Sequence, residues 1–592
     1  MGVAIANLRS TKVTAKCTRR WCSRTVTRPR ASQLHFLVSH LMAVDADRAL
    51  PSAWSLARLY LNVSTTLLVS MRSGNLGLAG LLLCATSTFL GGVQGQTTCT
   101  PAATPLVGVN NLVGFSIESD RWPEWTGGID TPNTFWINTL NNLKILCEKL
   151  HNLDRTTFVA TQFEPTVGLF PNYTSTTPYP EATSNTIGPS FYLLSKHLPS
   201  GTRMTWGLNL GANSSTNAIA EAKSIAAAFA SSDITSKNIV LELLEAGNEP
   251  DLYKNNGLRN TTYTVANWQT DWVALAGSVS TALGIKKGSL PSWISLSFAG
   301  GDHGNGGFSP QQAYANGLLS TTAGSLITVV SQHRYSGSFC TGSQGLLSDL
   351  MSKLYIRGNV TVWKPDIAAT EVQGLKYWLG ETNSYACHGA PGVSNTAGAA
   401  IWMLDYSLQA AVQRIEEVYY HHGIGFKYNF MQPVALNRSI TTGESVPIIP
   451  AHVQPTYYAA IALAEAIGTS GGTTVAEIET HDAGVAGYAI YDGTALARAV
   501  FLNSQAYSSA STGARPAVRV QVLFTGASGA PAHATLKRLK IAHADDTANV
   551  TWGGVSYETA TGLAAGSVVT ETVVPSDGFV LAATEAVLIT FT

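Results

Sequence analysis

NIVLELLEAGNEPDLY, residues 238–253, decides how this chain is read. Its apolar approach suits a buried strand; a glycine then breaks the run, and Asn248-Glu249-Pro250 follows at once. Pro250 offers no N–H to extend a ladder, so Glu249 stands where a buried segment must stop. An ionisable side chain at such a point needs a setting, and the surrounding chain supplies one.

Between about 103 and 460 the pattern repeats as short apolar strand, turn and amphipathic helix. Strands are expected at VGFSIE (113–118), RMTWGLNL (203–210), NIVLELLEA (238–246), WISLSFAG (293–300), SLITVVSQHRY (325–335), KYWLGE (376–381) and GFKYNFM (425–431). Helices are expected between them, as at NAIAEAKSIAAAFA (217–230) and GAAIWMLDYSLQAAVQRI (398–415). Such alternation implies βαβ units and a parallel sheet, and predicts an α/β fold, a (β/α)8 TIM barrel with long loops over 103–460. The rival doubly wound sheet lacks its glycine fingerprint here. After about 465 the helices stop: GVAGYAIYDG, LARAVFLNSQAY, AVRVQVLFTG, HATLKRLKIAHA and AVLITFT predict a C-terminal antiparallel β-sandwich domain over 465–592.

In a barrel of this kind chemistry sits at the C-terminal strand ends. A second carboxylate occupies such an end at YWLGETNSYACHGAPG, where Leu375, Tyr377, Leu379 and Glu381 share one parity and so are expected to face the barrel interior together. Two strand-end glutamates suit acetal cleavage, in which one carboxylic acid protonates the departing oxygen while an ionised partner attacks or directs water.

EAGNEPDLY (245–253) and LGETNS followed by GAPGVSNTAGAAIWMLD (379–405) resemble glycoside hydrolase family 79, the family of microbial β-glucuronidases and heparanase within a clan of retaining (β/α)8 glycosidases. With the C-terminal β domain the resemblance extends over most of 103–592. It implies Glu249 as general acid/base, Glu381 as nucleophile and Tyr335, in SQHRYS, as the hydroxyl that orients the nucleophile. It implies a sugar contact from Asn248, His333 as a lining residue of the cleft, and carboxylate recognition by Tyr385 with the amides near His388 and Gly389. Glu118 and Asn209, each at the end of an expected strand, are read from that position as sugar-hydroxyl contacts or as ordinary loop caps. One departure is upstream, where LKILCEKLHNL runs straight into Asp154-Arg155; the second strand reads as truncated.

Composition bounds the remaining choices. The 592 residues are 45% hydrophobic and 12% charged, with acids and bases in balance, so no basic stripe points to nucleic acid. From Met71 the chain reads as a secretory signal peptide over 71–95, with translation expected to start there and residues 1–70 as a basic extension or gene-model artefact. Secretion, no membrane span in the mature protein and N-glycans are expected, with sequons at Asn172, Asn213, Asn260, Asn359, Asn437 and Asn549. Cys99, Cys147, Cys340 and Cys387 allow three pairings. No metal site or cofactor is expected: His421-His422 reads as a helix end or surface feature, GGDHGNGG (300–307) as a flexible loop at the cleft, and Trp136, Trp268, Trp272 and Trp402 as core. The expectation is a secreted exo-β-glucuronidase acting on terminal glucuronic acid or its 4-O-methyl ether, with an endo-acting enzyme or an inactive sugar-binding barrel as the alternatives.

Overall fold

VGFSIE, with all six residues buried, is the first of eight parallel strands that close into a ring in the computed structural model. The structure describes residues 84–88, 94–101, 107–109, 112–143, 147–151, 156–159, 166–343, 345–524 and 530–591. The extension over 1–70, most of the expected leader and Asp154-Arg155 lie outside them. The barrel strands are β1 Val113–Glu118, β2 Cys147–His151, β3 Arg203–Leu208, β4 Val240–Ala246, β5 Ser292–Phe298, β6 Ile327–Ser338, β7 Lys376–Ala386 and β8 Glu417–His422. The β2 strand pairs with β1 on one side and β3 on the other. The second strand is therefore present, and the ring closes despite the short sequence that carries it.

Two readings of the strands are corrected. GFKYNFM is not a strand; EVYYHH is, which moves His421 and His422 from a supposed helix end into buried β8. The alternation in GFKYNFM is overruled by a turn. Gly425 sits at φ 74° with Tyr179 packed on it, and the Asn429 side chain bonds both the N–H and the carbonyl of Gly423.

The parity argument at β7 is also corrected. Trp378, not Tyr377 or Leu379, fills the interior, in a layer with Leu243, Ile294, Val329 and Tyr419. Tyr377 and Leu379 pack outward in the core shared with the helices. Opposite β6, Gln332 pairs with Leu379 and His333 with Glu381, so Gly380 is an extra residue, a β-bulge. The bulge resets the alternation and returns Glu381 to the inner face. Gly114 serves the same layer by absence, since a Cβ there would stand 2.7 Å from the Tyr419 ring.

Helices α1 Ser215–Phe229, α2 Val265–Leu283, α3 Lys353–Thr361, α4 Ala397–Val412 and α5 Pro455–Ile467 belong to the outer layer. A reciprocal Thr264–Asn267 capping box starts α2, and left-handed Gly284 ends it. Every residue of α4 is buried, because its outer side is covered by the C-terminal domain. Trp136, Trp268, Trp272 and Trp402 are all in the core.

That domain contains β9 Thr473–Glu479, β10 Val485–Asp492, β11 Ala495–Asn503, β12 Ala517–Val522, β13 Ala534–Lys540, β14 Phe579–Ala582 and β15 Glu585–Phe591. The strand order is β13-β15-β11-β10-β9, then residues 94–101, then β12-β14, antiparallel except where 94–101 runs parallel to β12. Residues 107–109 also pair with β9, so the barrel proper starts at Val113. Alternation explains how one sheet serves two cores: Val500 and Leu502 of β11 join the core shared with the barrel helices, while Ala499 and Phe501 point into the sandwich. At the junction Arg357 of α3 binds Asp405 of α4 at 3.2 Å and Glu477 of β9 at 2.7 Å, and the Tyr488 hydroxyl of β10 donates to Asp405.

Because Trp378 is a large side chain inside a closed ring, Trp378→Ala is expected to cost about 3–5 kcal/mol. Chemical denaturation monitored by circular dichroism checks this; a loss below about 1 kcal/mol, the level of an ordinary surface substitution, contradicts the assigned interior layer.

Candidate active site

The β4 strand delivers its carboxylate through an unusual backbone. Gly247 adopts φ 81°, and a Cβ there would approach the Tyr253 hydroxyl at 2.7 Å. Glu249 itself is left-handed, at φ 49° and ψ 51°, with its N–H donating to the Ser297 carbonyl of β5 at 2.9 Å. A non-glycine residue in this region costs of order 1–3 kcal/mol and persists only where its surroundings over-determine it. Here the following Pro250 and the Asp251 carboxylate, which accepts from the Ala299 and Gly300 amides, hold the turn to the end of β5.

From this turn Glu249 faces Glu381 across a cavity of about 630 Å³. A carboxylate oxygen of each, together with His333 Nδ1, forms a set of three atoms all within 4.8 Å of one another. His333 Nδ1 is 3.0 Å from Glu249 Oε1 and 3.7 Å from Glu381 Oε2. The Tyr335 hydroxyl, two residues along β6, donates to Glu381 Oε1 at 2.8 Å. His421 lies on the other side, with Nδ1 3.0 Å from Ser116 Oγ and 3.9 Å from Glu381 Oε2, and Nε2 3.5 Å from Glu118 Oε2.

The electrostatics separate the two acids. Burial first, and then the charges of Glu381, Asp251, Glu181 and Glu118, push Glu249 well above the ordinary carboxyl range. Burial also pushes the Tyr335 hydroxyl far up, with the Glu381 charge adding to it, so Tyr335 stays a donor. Among the described residues Glu249, His333 and Glu381 are also the one group of donors close enough to share a metal ion, and an ion there would take the place of the Glu249–His333 hydrogen bond.

Thr177 and Glu181 reach the cavity from a long segment, residues 170–183, that is tied down along its length. Arg121 covers the Phe170 ring, Arg438 the Tyr173 ring, the Tyr179 hydroxyl donates to Asn437 Oδ1 at 3.2 Å, and the Ala182 N–H donates to Asp120 at 2.7 Å. Glu181 Oε1 meets His388 Nε2 at 2.8 Å, and the His388 ring stacks on Phe426 at 4.0 Å. A Cys340–Cys387 disulfide joins the ends of β6 and β7 at the cavity wall, beside consecutive left-handed residues Cys387, His388 and Gly389.

A model of the glycosyl hydrolase family 79 C-terminal beta domain matches residues 487–588. A beta-glucuronidase of Aspergillus niger is 26% identical over 486 residues, covering 78% of this chain and 86% of its own. A beta-glucuronidase of Neurospora crassa is 26% identical over 491 residues, covering 75% and 84%. The chain thus carries the C-terminal beta domain of glycoside hydrolase family 79 and is similar along most of its length to beta-glucuronidases. Among solved structures, a 4-O-alpha-L-rhamnosyl-beta-D-glucuronidase from Fusarium oxysporum, in complex with Rha-GlcA, has a TM-score of 0.63 at 23% identity, covering 83% of this chain and 99% of that one. A family 51 alpha-L-arabinofuranosidase from Bifidobacterium longum has a TM-score of 0.53 at 13% identity, covering 83% and 98%, and shares the fold.

Of the residues singled out in the sequence, Glu118, Asn248, Glu249, Tyr335, Glu381 and His388 line the cavity, and His333 lies buried beside Glu249 and Glu381. Three sequence-derived assignments are corrected. Asn209 does not line the cavity; its side chain accepts from the Ala212 N–H at 2.8 Å and caps a loop. The Tyr385 ring lies over Gly337 and reaches Gly345, since neither glycine has a side chain to keep it out, and so turns away from the cavity. The Gly389 N–H is spent on the Tyr385 carbonyl at 3.0 Å.

Glu181, His421 and Tyr428 also line the cavity, although no motif or spacing marks them for it. His421 and Tyr428 are hidden by the misplaced eighth strand, and Glu181 sits in a loop with no periodic signal. The GGDHGNGG loop is tied through His303 to Asp366 at 2.8 Å, not open at the cleft. The Asn359 sequon is buried, with its Oδ1 accepting from Arg334 Nε.

The displaced Glu249 carboxyl has a stability signature. A folded-state pKa above the unfolded value favours folding at low pH, and that contribution is lost as pH rises through the folded pKa. Glu249→Gln is neutral at every pH, so its Tm relative to wild type is expected to rise between pH 4 and pH 7. Differential scanning calorimetry checks this; a constant or falling difference contradicts it.

Proposed function

We propose that this glycoside hydrolase is a retaining exo-β-glucuronidase that releases terminal β-linked glucuronic acid, or its 4-O-methyl ether, from glycans outside the cell. The observation that carries the reading is the approach of one Glu249 carboxylate oxygen to one of Glu381 within 4.8 Å. Retaining glycosidases keep their carboxyl groups about 5–5.5 Å apart, whereas inverting ones leave roughly 6.5–9.5 Å for a water. The beta-glucuronidase names of the two fungal relatives support the sugar class.

In this scheme Glu381, fixed by Tyr335, attacks the anomeric carbon while Glu249 protonates the departing oxygen. Forming the glycosyl ester removes the Glu381 charge, which is the first neighbouring charge holding the Glu249 pKa up. Glu249 then releases its proton more readily and deprotonates the incoming water. His333 steadies Glu249 through both proton states, since its Nδ1 can donate to the carboxylate or accept from the acid. Asn248 bonds the hydroxyl beside the anomeric carbon in this scheme, and Glu118 another sugar hydroxyl, since both line the cavity.

Exo action is supported by the tethered segment 170–183, which places Thr177 and Glu181 in the cavity wall. Secretion is supported by the sequons, of which Asn172, Asn213, Asn260, Asn437 and Asn549 are exposed and open to N-glycosylation.

Hydrolysis of p-nitrophenyl β-glucuronide tests the reading, with proton NMR following which anomer appears first. Wild type is expected to release the β-anomer. Glu381→Gln is expected to lose on the order of 10³-fold or more in kcat. Glu249→Gln is expected to slow a natural glycan on the order of 10²–10⁴-fold but the nitrophenyl substrate less, because nitrophenolate leaves with little help from an acid. First release of the α-anomer refutes retention; cleavage inside a uronate polymer in preference to its end refutes exo action.

A further inference from the structure

We propose that Lys427 is the cation that selects for the carboxylate of the substrate, a reading that rests on the glucuronidase activity inferred above. The problem it solves is one of charge. Glu118, Glu181, Glu249 and Glu381 line the cavity, and no lysine or arginine does among the described residues. A glucuronate adds another negative charge to this group in a setting of low dielectric, where like charges repel strongly. Tyr385 and the Gly389 amide, turned away or already bonded, do not answer that charge.

Lys427 is fully buried, and its ammonium donates to the Thr176 carbonyl at 3.1 Å with the Phe339 ring 5.6 Å away. Among the described residues no carboxylate pairs with it. Burial alone pushes its pKa down to about 8, with no neighbouring acid to hold it up. An ammonium buried without a counter-ion is costly, and an apolar side chain of that length would fill the space at less expense.

Its position makes the missing anion the substrate's. Thr176, Phe339 and His388 contact Lys427, and Thr177, Cys340 and His388 line the cavity, so the charge lies one residue behind the wall. The main chain of Lys427 is held on both sides: its N–H donates to the His388 carbonyl at 2.8 Å, and its carbonyl accepts from Gln454 Nε2 at 2.8 Å. The adjoining residues address the same corner, Phe426 by stacking on His388 and Tyr428 by lining the cavity. A plainer role is also built in, since the bond to Thr176 ties down segment 170–183.

Lys427→Gln separates the two roles, because the amide keeps a donor for Thr176 and loses the charge; Lys427→Arg keeps the charge. The measurement is competitive inhibition of p-nitrophenyl β-glucuronide hydrolysis by glucuronate and by glucuronamide, which has the same ring without the charge. Wild type and Lys427→Arg are expected to bind glucuronate on the order of tenfold more tightly than the amide, and Lys427→Gln to narrow this to about twofold, with KM raised and kcat little changed. An unchanged preference in Lys427→Gln, or equal weakening of both inhibitors, overturns the proposal in favour of a loop anchor. No turnover of the glucuronide by folded wild type is a different result, which overturns the activity reading and this inference with it.

Discussion

Two carboxylates held within 4.8 Å of each other in a partly closed cavity cannot both ionise cheaply, and this constraint organises the site. The proton is left on Glu249, which burial and the surrounding acids push up, while Tyr335 donates to Glu381. His333 stands between them and contacts both. The pair is thus divided into an acid and a partner whose orientation is set by a neutral hydroxyl, and the division follows from environment alone.

Much of the fold can be understood as the means of holding that short distance. Glu249 comes off β4 in a left-handed turn anchored to β5, and Glu381 comes off β7 after a bulge that returns it to the inner face. Neither position is the relaxed choice of its own segment. Each is held by neighbouring strands, which is possible only because the ring is closed and every strand has two partners. The C-terminal sandwich contributes at one remove: it buries the outer side of α4, the helix that follows β7, and the Arg357 network ties α3, α4 and the first sandwich strands together.

Segments with local, repetitive patterning are legible in the amino-acid sequence. VGFSIE is β1 to the residue, NIVLELLEA contains β4, and the alternating runs after 465 are sandwich strands, because burial on one or two faces imposes a period that sequence displays. Legibility ends where pattern and packing part company. GFKYNFM alternates like a strand yet turns at Gly423 and Gly425, and this hides EVYYHH, His421 and Tyr428 together. Five residues suffice for β2, because its two neighbours supply the hydrogen bonds that a short run cannot supply itself.

By itself the sequence determined the barrel-and-sandwich architecture and the two glutamates at strand ends, since strand periodicity and the strings around Glu249 and Glu381 are properties of contiguous residues. Only the tertiary structure decided which of the surrounding residues share the cavity. Glu181 enters it from a loop without periodicity, Tyr385 leaves it because two glycines make room elsewhere, and Lys427 is left buried with no acid paired to it among the described residues. Such placements depend on side chains far apart in the chain, and on a single inserted residue at Gly380 that no alternation rule anticipates.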